Sequence, residues 1–342
     1  MSGFWKNLTK PIIGLAPMDG VTDAAFRHMV TKYSHPSVIF TEFTHVEGLA
    51  YGATKILTSF LYEKKEHPIV AQLFGTDPKA FYKATILGAY LGFDGIDINM
   101  GCPSPKVAKQ GAGASLIQNP KLAQAIISAC QKAALDWQQG ISLEKAGVNP
   151  AIIQAAKLRR GQRISRKLLP ISVKTRIGYD SITAKEWANQ LLEMRLAAIT
   201  MHGRTFKQLY SGQANWEILA QAAALFKGTN TLFLGNGDIN SITDAMAKIK
   251  KYKVDGVLVG RAALGNPWFF SKYLPSQEEY LKAASEHAHY LEKKIPEIAF
   301  VSVRKHLLWY CKNFPGAKEL RIKLSHANTA QEVKKILFKN LG

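Results

Sequence analysis

The sequence predicts an α/β fold: a TIM-type (β/α)8 barrel over residues 1–270, followed by a small all-α C-terminal domain over 277–342. Three observations carry this reading. Eight short apolar runs alternate with helical patterns, polar residues stand at the ends of those runs, and the texture changes after about residue 270. The runs fall at 12–16, 38–43, 68–73, 95–99, 170–175, 197–202, 231–235 and 255–260. Short apolar runs flanked by Gly or Pro are the pattern of parallel strands buried on both faces. Eight of them match the count of a closed barrel, with an open doubly wound sheet as the alternative. Gln72, Asn99, Lys174, His202, Asn236 and Arg261 lie at or just past strand ends. In a barrel those ends converge on the face where active sites are built.

Beyond residue 270, Ser276 is suited to cap a helix at 277–294, and further helices are expected at 301–311 and 330–341. This unit carries 13 Lys/Arg against 7 Asp/Glu over residues 271–342, a bias that RNA contact and a solvated surface explain equally well. An insertion at about 135–169 breaks the barrel rhythm between a helix near 119–134 and the strand at 170. Its stretch 157–167 holds six basic residues and no acid. Phosphate binding is one reading. A helix-to-strand connection, however, emerges at the barrel face opposite the catalytic loops, so a solvated face is expected unless the insertion folds back around the wall.

The 342 residues are 47% hydrophobic, enough for a packed core, and carry a net charge of +20. That charge implies an anionic partner, nucleic acid before acidic membrane. Cys102, Cys130 and Cys311 show no paired or dense spacing, so neither a disulfide framework nor a metal site is expected. Cys130 and Cys311 are assigned to packing. No signal-like run opens the chain, and none approaches the roughly 18 apolar residues that span a bilayer. The expectation is a cytoplasmic protein with no membrane or obligate protein partner, monomeric by default.

Asn99-Met100-Gly101-Cys102-Pro103 delivers a cysteine into a loop just after strand four, where Pro103 and Pro105 delay the next helix. A thiol there is either catalytic or a small buried hydrophobe. Leu234-Gly235-Asn236-Gly237-Asp238 and Val259-Gly260-Arg261 form turns after strands seven and eight, the barrel's usual place for a phosphate held by backbone N–H groups. Neither is a GxGxxG dinucleotide fingerprint. Lys174, on an inward strand end, needs an anionic partner, which a reduced flavin supplies. His202 can donate to flavin or phosphate oxygens. Gln72 and Asn99 carry amides of the kind that grip a flavin edge or a pyrimidine.

Ala16-Pro17-Met18-Asp19-Gly20-Val21-Thr22-Asp23, Ala71-Gln72-Leu73-Phe74-Gly75, Asn99-Met100-Gly101-Cys102-Pro103, Val173-Lys174-Thr175-Arg176, His202-Gly203-Arg204-Thr205, Asn236-Gly237-Asp238 and Gly260-Arg261 follow one another in order. This ordered set resembles the tRNA-dihydrouridine synthases, FMN enzymes that reduce uridine in tRNA with NADPH. Arg304-Lys305-His306 and Phe314-Pro315-Gly316-Ala317 resemble that family's helical domain. The resemblance implies that Cys102 protonates C5 of the uracil while a hydride goes from flavin to C6. It further implies FMN contacts at Ala16, Pro17, Met18, Gln72, Lys174, His202, Asn236, Gly237, Asp238, Gly260 and Arg261. By the same resemblance Asn99 and Tyr210 match residues near a flipped uridine, and Arg176 and Arg204 are expected to be substrate or phosphate contacts. The helical domain is then the tRNA-binding unit. Without a dinucleotide fingerprint NADPH and NADH are not separated. The competing readings are an FMN barrel oxidoreductase acting on a free pyrimidine such as dihydroorotate, and a basic RNA-binding protein without chemistry.

Overall fold

A computed structural model describes residues 3–159 and 165–338. Eight parallel staves form a closed barrel: β1 (Ile12–Leu15), β2 (Ile39–Phe40, resumed at Thr44–His45), β3 (Ile69–Phe74), β4 (Gly95–Met100), β5 (Ile171–Arg176), β6 (Ala198–His202), β7 (Leu232–Asn236) and β8 (Gly256–Val259). β1 pairs with both β2 and β8, and β2 pairs with β3, which closes the ring and excludes the open sheet. The second stave is interrupted where a single strand was expected at 38–43. There Gln72 N–H donates to the Thr41 hydroxyl at 3.1 Å instead of to a backbone carbonyl, and Thr41 Oγ1 donates to Glu42 O.

The crossover helices start where local chemistry caps them. Asp77 accepts from Lys79 N–H and precedes Pro78, the first residue of helix Pro78–Leu91. Asn119 does the same ahead of Pro120 and helix Pro120–Gln138. A side-chain acceptor followed by proline satisfies one orphan N–H and removes another. At the barrel's N-terminal end, the turn Gly3–Asn7 buries Trp5 against Ile12, Val38, Phe40 and Leu258. With the floor filled, space remains at the opposite end.

After the barrel come helices Gln277–Lys294, Arg304–Tyr310, Ala317–Leu324 and Ala330–Phe338. Ser276 and Glu279 form the expected capping box. Helix Ala317–Leu324, which the sequence reading lacks, begins after Gly316 in the left-handed region at φ 79°. The segment expected as helix 301–311 opens with a tighter turn, Phe300–Val303. Residues 339–341 of the last expected helix lie outside the described residues. Leu281, Ala284, Leu307, Tyr310 and Val333 share a core with Ala24, Ala25 and Met29 of the barrel helix Ala24–Tyr33.

The insertion folds along the barrel wall. Its helix Pro150–Arg159 packs against Thr54–Phe60 and helix Pro78–Leu91, burying Ile152 and Ile153. The basic stretch is not uniformly solvated. Arg166 lies 3.8 Å from the Trp137 ring and donates to Trp137 O (3.0 Å) and Ile141 O (2.8 Å), so it fastens the insertion to helix Pro120–Gln138. Exposed Lys157 pairs with Glu144 at 3.2 Å. Arg160 and Arg163 lie outside the described residues. Cys130 and Cys311 are buried, in keeping with packing roles. Among the described residues no helix is long and apolar enough to cross a membrane.

Candidate active site

The C-terminal ends of the strands open onto a cavity of about 830 Å³. Strand periodicity and register explain its wall. Alternate residues of β5 share a face, so Ser172, Lys174 and Arg176 point the same way. Parallel register sets Asn99 opposite Lys174, and Arg176 opposite His202, which in turn pairs with Asn236. Asn99, Lys174, Arg176, His202 and Asn236 therefore meet on one cavity.

Cys102 stands on that wall in the loop after β4. Asn99 Oδ1 accepts from Gly101 N–H (3.1 Å) and Cys102 N–H (2.9 Å), which fixes the loop. Asn99 is itself held from behind. Its Nδ2 donates to Gln72 Oε1 at 3.0 Å, Gln72 Nε2 donates to Asp97 Oδ2 at 2.7 Å, and Ser172 Oγ donates to Asp97 Oδ1 at 2.6 Å. Gln72 is fully buried in this relay and stands behind the wall rather than on it. Burial pushes Asp97 up to about 6. Burial also raises the Cys102 thiol above its ordinary value, and Asp19 adds to the effect against the pull of Ser104 N–H, Arg176 and Lys174. The thiol thus keeps its proton at neutral pH.

Lys174 reaches the cavity with no hydrogen-bond or ion-pair partner among the described residues. Burial and then the neighbouring Arg176 lower it to about 8, against Asp97 and Cys102. Arg176, lowered to about 10 mainly by burial, donates to Gly101 O (2.7 Å) and Thr205 O (3.0 Å), bracing the Cys102 loop against the loop after β6. His202 is held neutral by burial and by Arg176, Lys174, Arg204 and Arg261. Lys174 and Arg176, side by side in the recess with no ion-pair partner among the described residues, suit an anionic or electron-rich group.

The turns after β7 and β8 complete the wall. Gly237 sits at φ 122°, and a Cβ there would lie 2.7 Å from Ala214 Cβ and 2.9 Å from His202 Cδ2, so no larger residue fits. Asp238 Oδ2 accepts from Arg204 (2.6 Å) and Ala214 N–H (2.7 Å), and its Oδ1 accepts from Arg261 (2.8 Å). Burial opposes ionisation there, yet those donors hold the carboxyl below its ordinary value. Arg261 is aimed in this way across the Tyr210 ring, 5.3 Å from its centroid. Ala16, Pro17, Met18 and Gly260 form the wall where β1 meets β8. Tyr210 stands on the rim, largely exposed. Arg204 does not line the cavity. Only 2% exposed, it donates to Ser211 O and Gly212 O as well as Asp238, anchoring the loop that carries Tyr210.

Two residues within the quoted motifs went unassigned in the sequence. Asp19 lines the cavity, its carboxyl raised by burial against Gly20 N–H and Lys305. Lys305 comes from the C-terminal helices, with Nζ 3.6 Å from where a Cβ on Gly20 would stand. The position of Asp19 just after the first strand's turn was the available signal. For Lys305 the motif Arg304-Lys305-His306 marks the helical unit, but only the packing of the helices brings the ammonium to Asp19.

The chain is similar to known proteins along nearly its whole length. The family model described as "Dihydrouridine synthase (Dus)" matches residues 14–136 and 158–341, so the unmatched segment is 137–157 and most of the basic stretch lies inside the match. A protein named "Probable tRNA-dihydrouridine synthase" from Staphylococcus aureus is 34% identical over 343 residues, covering 98% of this chain and 94% of that protein. "Probable tRNA-dihydrouridine synthase 2" from Bacillus subtilis is 33% identical, with 98% and 95% covered. Among solved structures, the old yellow enzyme homologue from Zymomonas mobilis superposes with a TM-score of 0.44 at 13% identity, covering 79% of this chain and 92% of that one. Morphinone reductase in complex with tetrahydroNAD gives 0.41 at 12%, covering 80% and 90%.

Proposed function

The chain belongs to the dihydrouridine synthase family, and on that premise we propose that it reduces uridines of tRNA to 5,6-dihydrouridine, with FMN as resident cofactor and NADPH as electron donor. The observation that carries the reading is the pairing of two groups on one cavity. Cys102 is a protonated thiol, and Lys174 is a recessed ammonium with no ion-pair partner among the described residues. The residues present fit the cofactor. Lys174 and His202 suit the electron-rich edge of the flavin ring, and Ala16, Pro17, Met18 and Asn236 supply its apolar and polar walls. Gly237, Gly260 and Arg261 suit the phosphate, with Asp238 orienting Arg261. Bound there, FMN supplies the hydride that C6 of the uracil receives.

The chain's own residues do the rest. Cys102 Sγ–H gives its proton to C5 and is left as a thiolate that solvent reprotonates. A neutral acid held beside an apolar ring suits proton delivery to carbon. Asn99 holds the Cys102 loop and offers its remaining Nδ2–H to the pyrimidine, with Gln72 fixing Asn99 from behind. Arg176 and Arg204 act by bracing and anchoring the flanking loops, and Tyr210 offers a ring to the uridine, which must leave its stack to enter. The C-terminal helices and the net charge of +20 serve tRNA binding, mainly through phosphates and shape.

The test is mass spectrometry of tRNA lacking the modification after incubation with the flavin-loaded protein and NADPH. A gain of two hydrogens at defined uridines is expected. If flavin reduction proceeds and no uridine of any tRNA changes, the reading fails. Turnover of a free pyrimidine with indifference to RNA would put the second FMN reading in its place.

A further inference from the structure

The seam between the barrel and the C-terminal helices buries three groups suited to a metal ion. Asp23 precedes helix Ala24–Tyr33, His287 lies on helix Gln277–Lys294 and His306 on helix Arg304–Tyr310. They are 5%, 0% and 1% exposed, and one ligand atom of each lies within 4.8 Å of the other two. Their bonding is incomplete. Asp23 Oδ1 accepts from Phe26 N–H at 2.8 Å, while Oδ2 faces His306 Nε2 at 4.0 Å, beyond hydrogen-bond range. His287 Nδ1 lies 3.3 Å from the Tyr310 hydroxyl. Among the described residues its Nε2 has no partner, and neither ring nitrogen of His306 has one. Buried polar atoms are seldom left so, and an unpartnered nitrogen on each of two imidazoles beside one carboxylate calls for an occupant.

The surrounding charge has a sign. Asp23 and Asp19 both raise the Glu42 carboxyl, so three acids stand near one another. Arg27, which acts on both Asp23 and Glu42, is paired with Glu66 at 2.7 Å with both side chains fully buried. Lys305 is the second cation acting on Asp23, after Arg27, and it acts on Asp19 as well. The seam therefore holds more carboxyl groups than cations beside the imidazoles.

We propose that Asp23, His287 and His306 bind a divalent cation of the zinc type that joins the helical unit to the barrel. Two imidazoles and one carboxylate are a donor set zinc accepts, with water in the fourth position. The Tyr310 hydroxyl beside His287 Nδ1 takes the role of the outer partner that orients a ligating ring. Bonds of about 2.1 Å draw the ligand atoms to roughly 3.4 Å apart, so the cluster contracts by about an ångström. His306, held by ring packing against Phe26, His287 and Trp309 and by no side-chain hydrogen bond, is free to supply that movement.

The test uses the full chain, stripped with a chelator and titrated with zinc alone and with cobalt(II) alone. Expected are about one tight equivalent per chain, a tetrahedral cobalt absorption spectrum, and a thermal midpoint that rises with zinc and falls with chelator. His306→Gln should weaken binding at least tenfold. So should Asp23→Asn, which keeps the helix cap because asparagine also caps and which decides the matter if the histidine variant does not fold. No bound metal in the unaltered protein at saturating zinc overturns the proposal, leaving water as the occupant. Undiminished zinc affinity in a folded variant overturns it as well, by placing the ion elsewhere, for instance on Cys102. Neither arm needs flavin or RNA, so the outcome is independent of the functional reading.

Discussion

At the scale of the residue, Cys102 can act as an acid only while it keeps its proton, and its burial decides that it does. Because its pKa lies above the ordinary 9.0, uridine reduction should hold steady through neutral pH and fall as pH climbs past the thiol's own value. Flavin reduction by NADPH should not follow that fall; rapid-mixing kinetics across pH separates the two. Cys102→Ala should keep flavin content and flavin reduction while losing roughly 100- to 10,000-fold in dihydrouridine formation, the span that acid catalysis contributes. Lys174 shows the opposite economy. Its pKa falls from 10.5 to about 8 on folding, so between those values the unfolded chain binds more protons than the folded one. Stability of the flavin-free protein should therefore rise with pH through that window. Lys174→Met should flatten this dependence and leave flavin-free stability no lower, while weakening flavin binding about 10- to 100-fold. A parallel loss of Tm in the flavin-free variant would show that the ammonium has a partner after all.

At the scale of the element, strand positions were legible because short apolar runs between Gly and Pro leave few alternatives, and all eight staves stand where the sequence put them. Three features were not legible. The second stave breaks because a Thr41 hydroxyl takes a ladder bond, and no hydropathy pattern records that. Helix Ala317–Leu324 is short and mixed in polarity, too weak a period to declare itself. Arg166 looks like one more charge in a basic stretch, yet it fastens the insertion to the barrel. Arg166→Ala should cost about 1–3 kcal/mol of stability, from the lost ring contact and the two carbonyls left unmatched, with little change in tRNA affinity. Denaturant unfolding and a binding titration check this together. Gly265 marks the seam: at φ 70° its missing Cβ would lie 2.1 Å from Trp309 O. Gly265→Ala should loosen the C-terminal helices from the barrel, seen as faster amide exchange in helix Arg304–Tyr310.

At the scale of the whole molecule, the charge of +20 predicts binding dominated by phosphates. The logarithm of tRNA affinity should fall linearly with the logarithm of salt, with a slope of about −5 or steeper. A slope near zero would remove nucleic acid as the partner. The sequence by itself determined the barrel, the helical unit behind it, and the strand-end residues Asn99, Cys102, Lys174, His202 and Asn236 that line one cavity. It could do so because periodicity and parallel register are local rules that carry side chains to a common face. It did not determine which polar residues touch the cavity and which stand behind it. Gln72 and Arg204 share the motif pattern of their neighbours, and only the hydrogen bonds to Asp97, Asn99 and Asp238 withdraw them from the wall. Nor could it assemble Asp23 with His287 and His306, because residues so far apart in the chain meet only when helix Gln277–Lys294 packs on helix Ala24–Tyr33. That packing follows from the burial of apolar faces, which is non-directional, so the polar groups it brings together become visible only in the folded molecule.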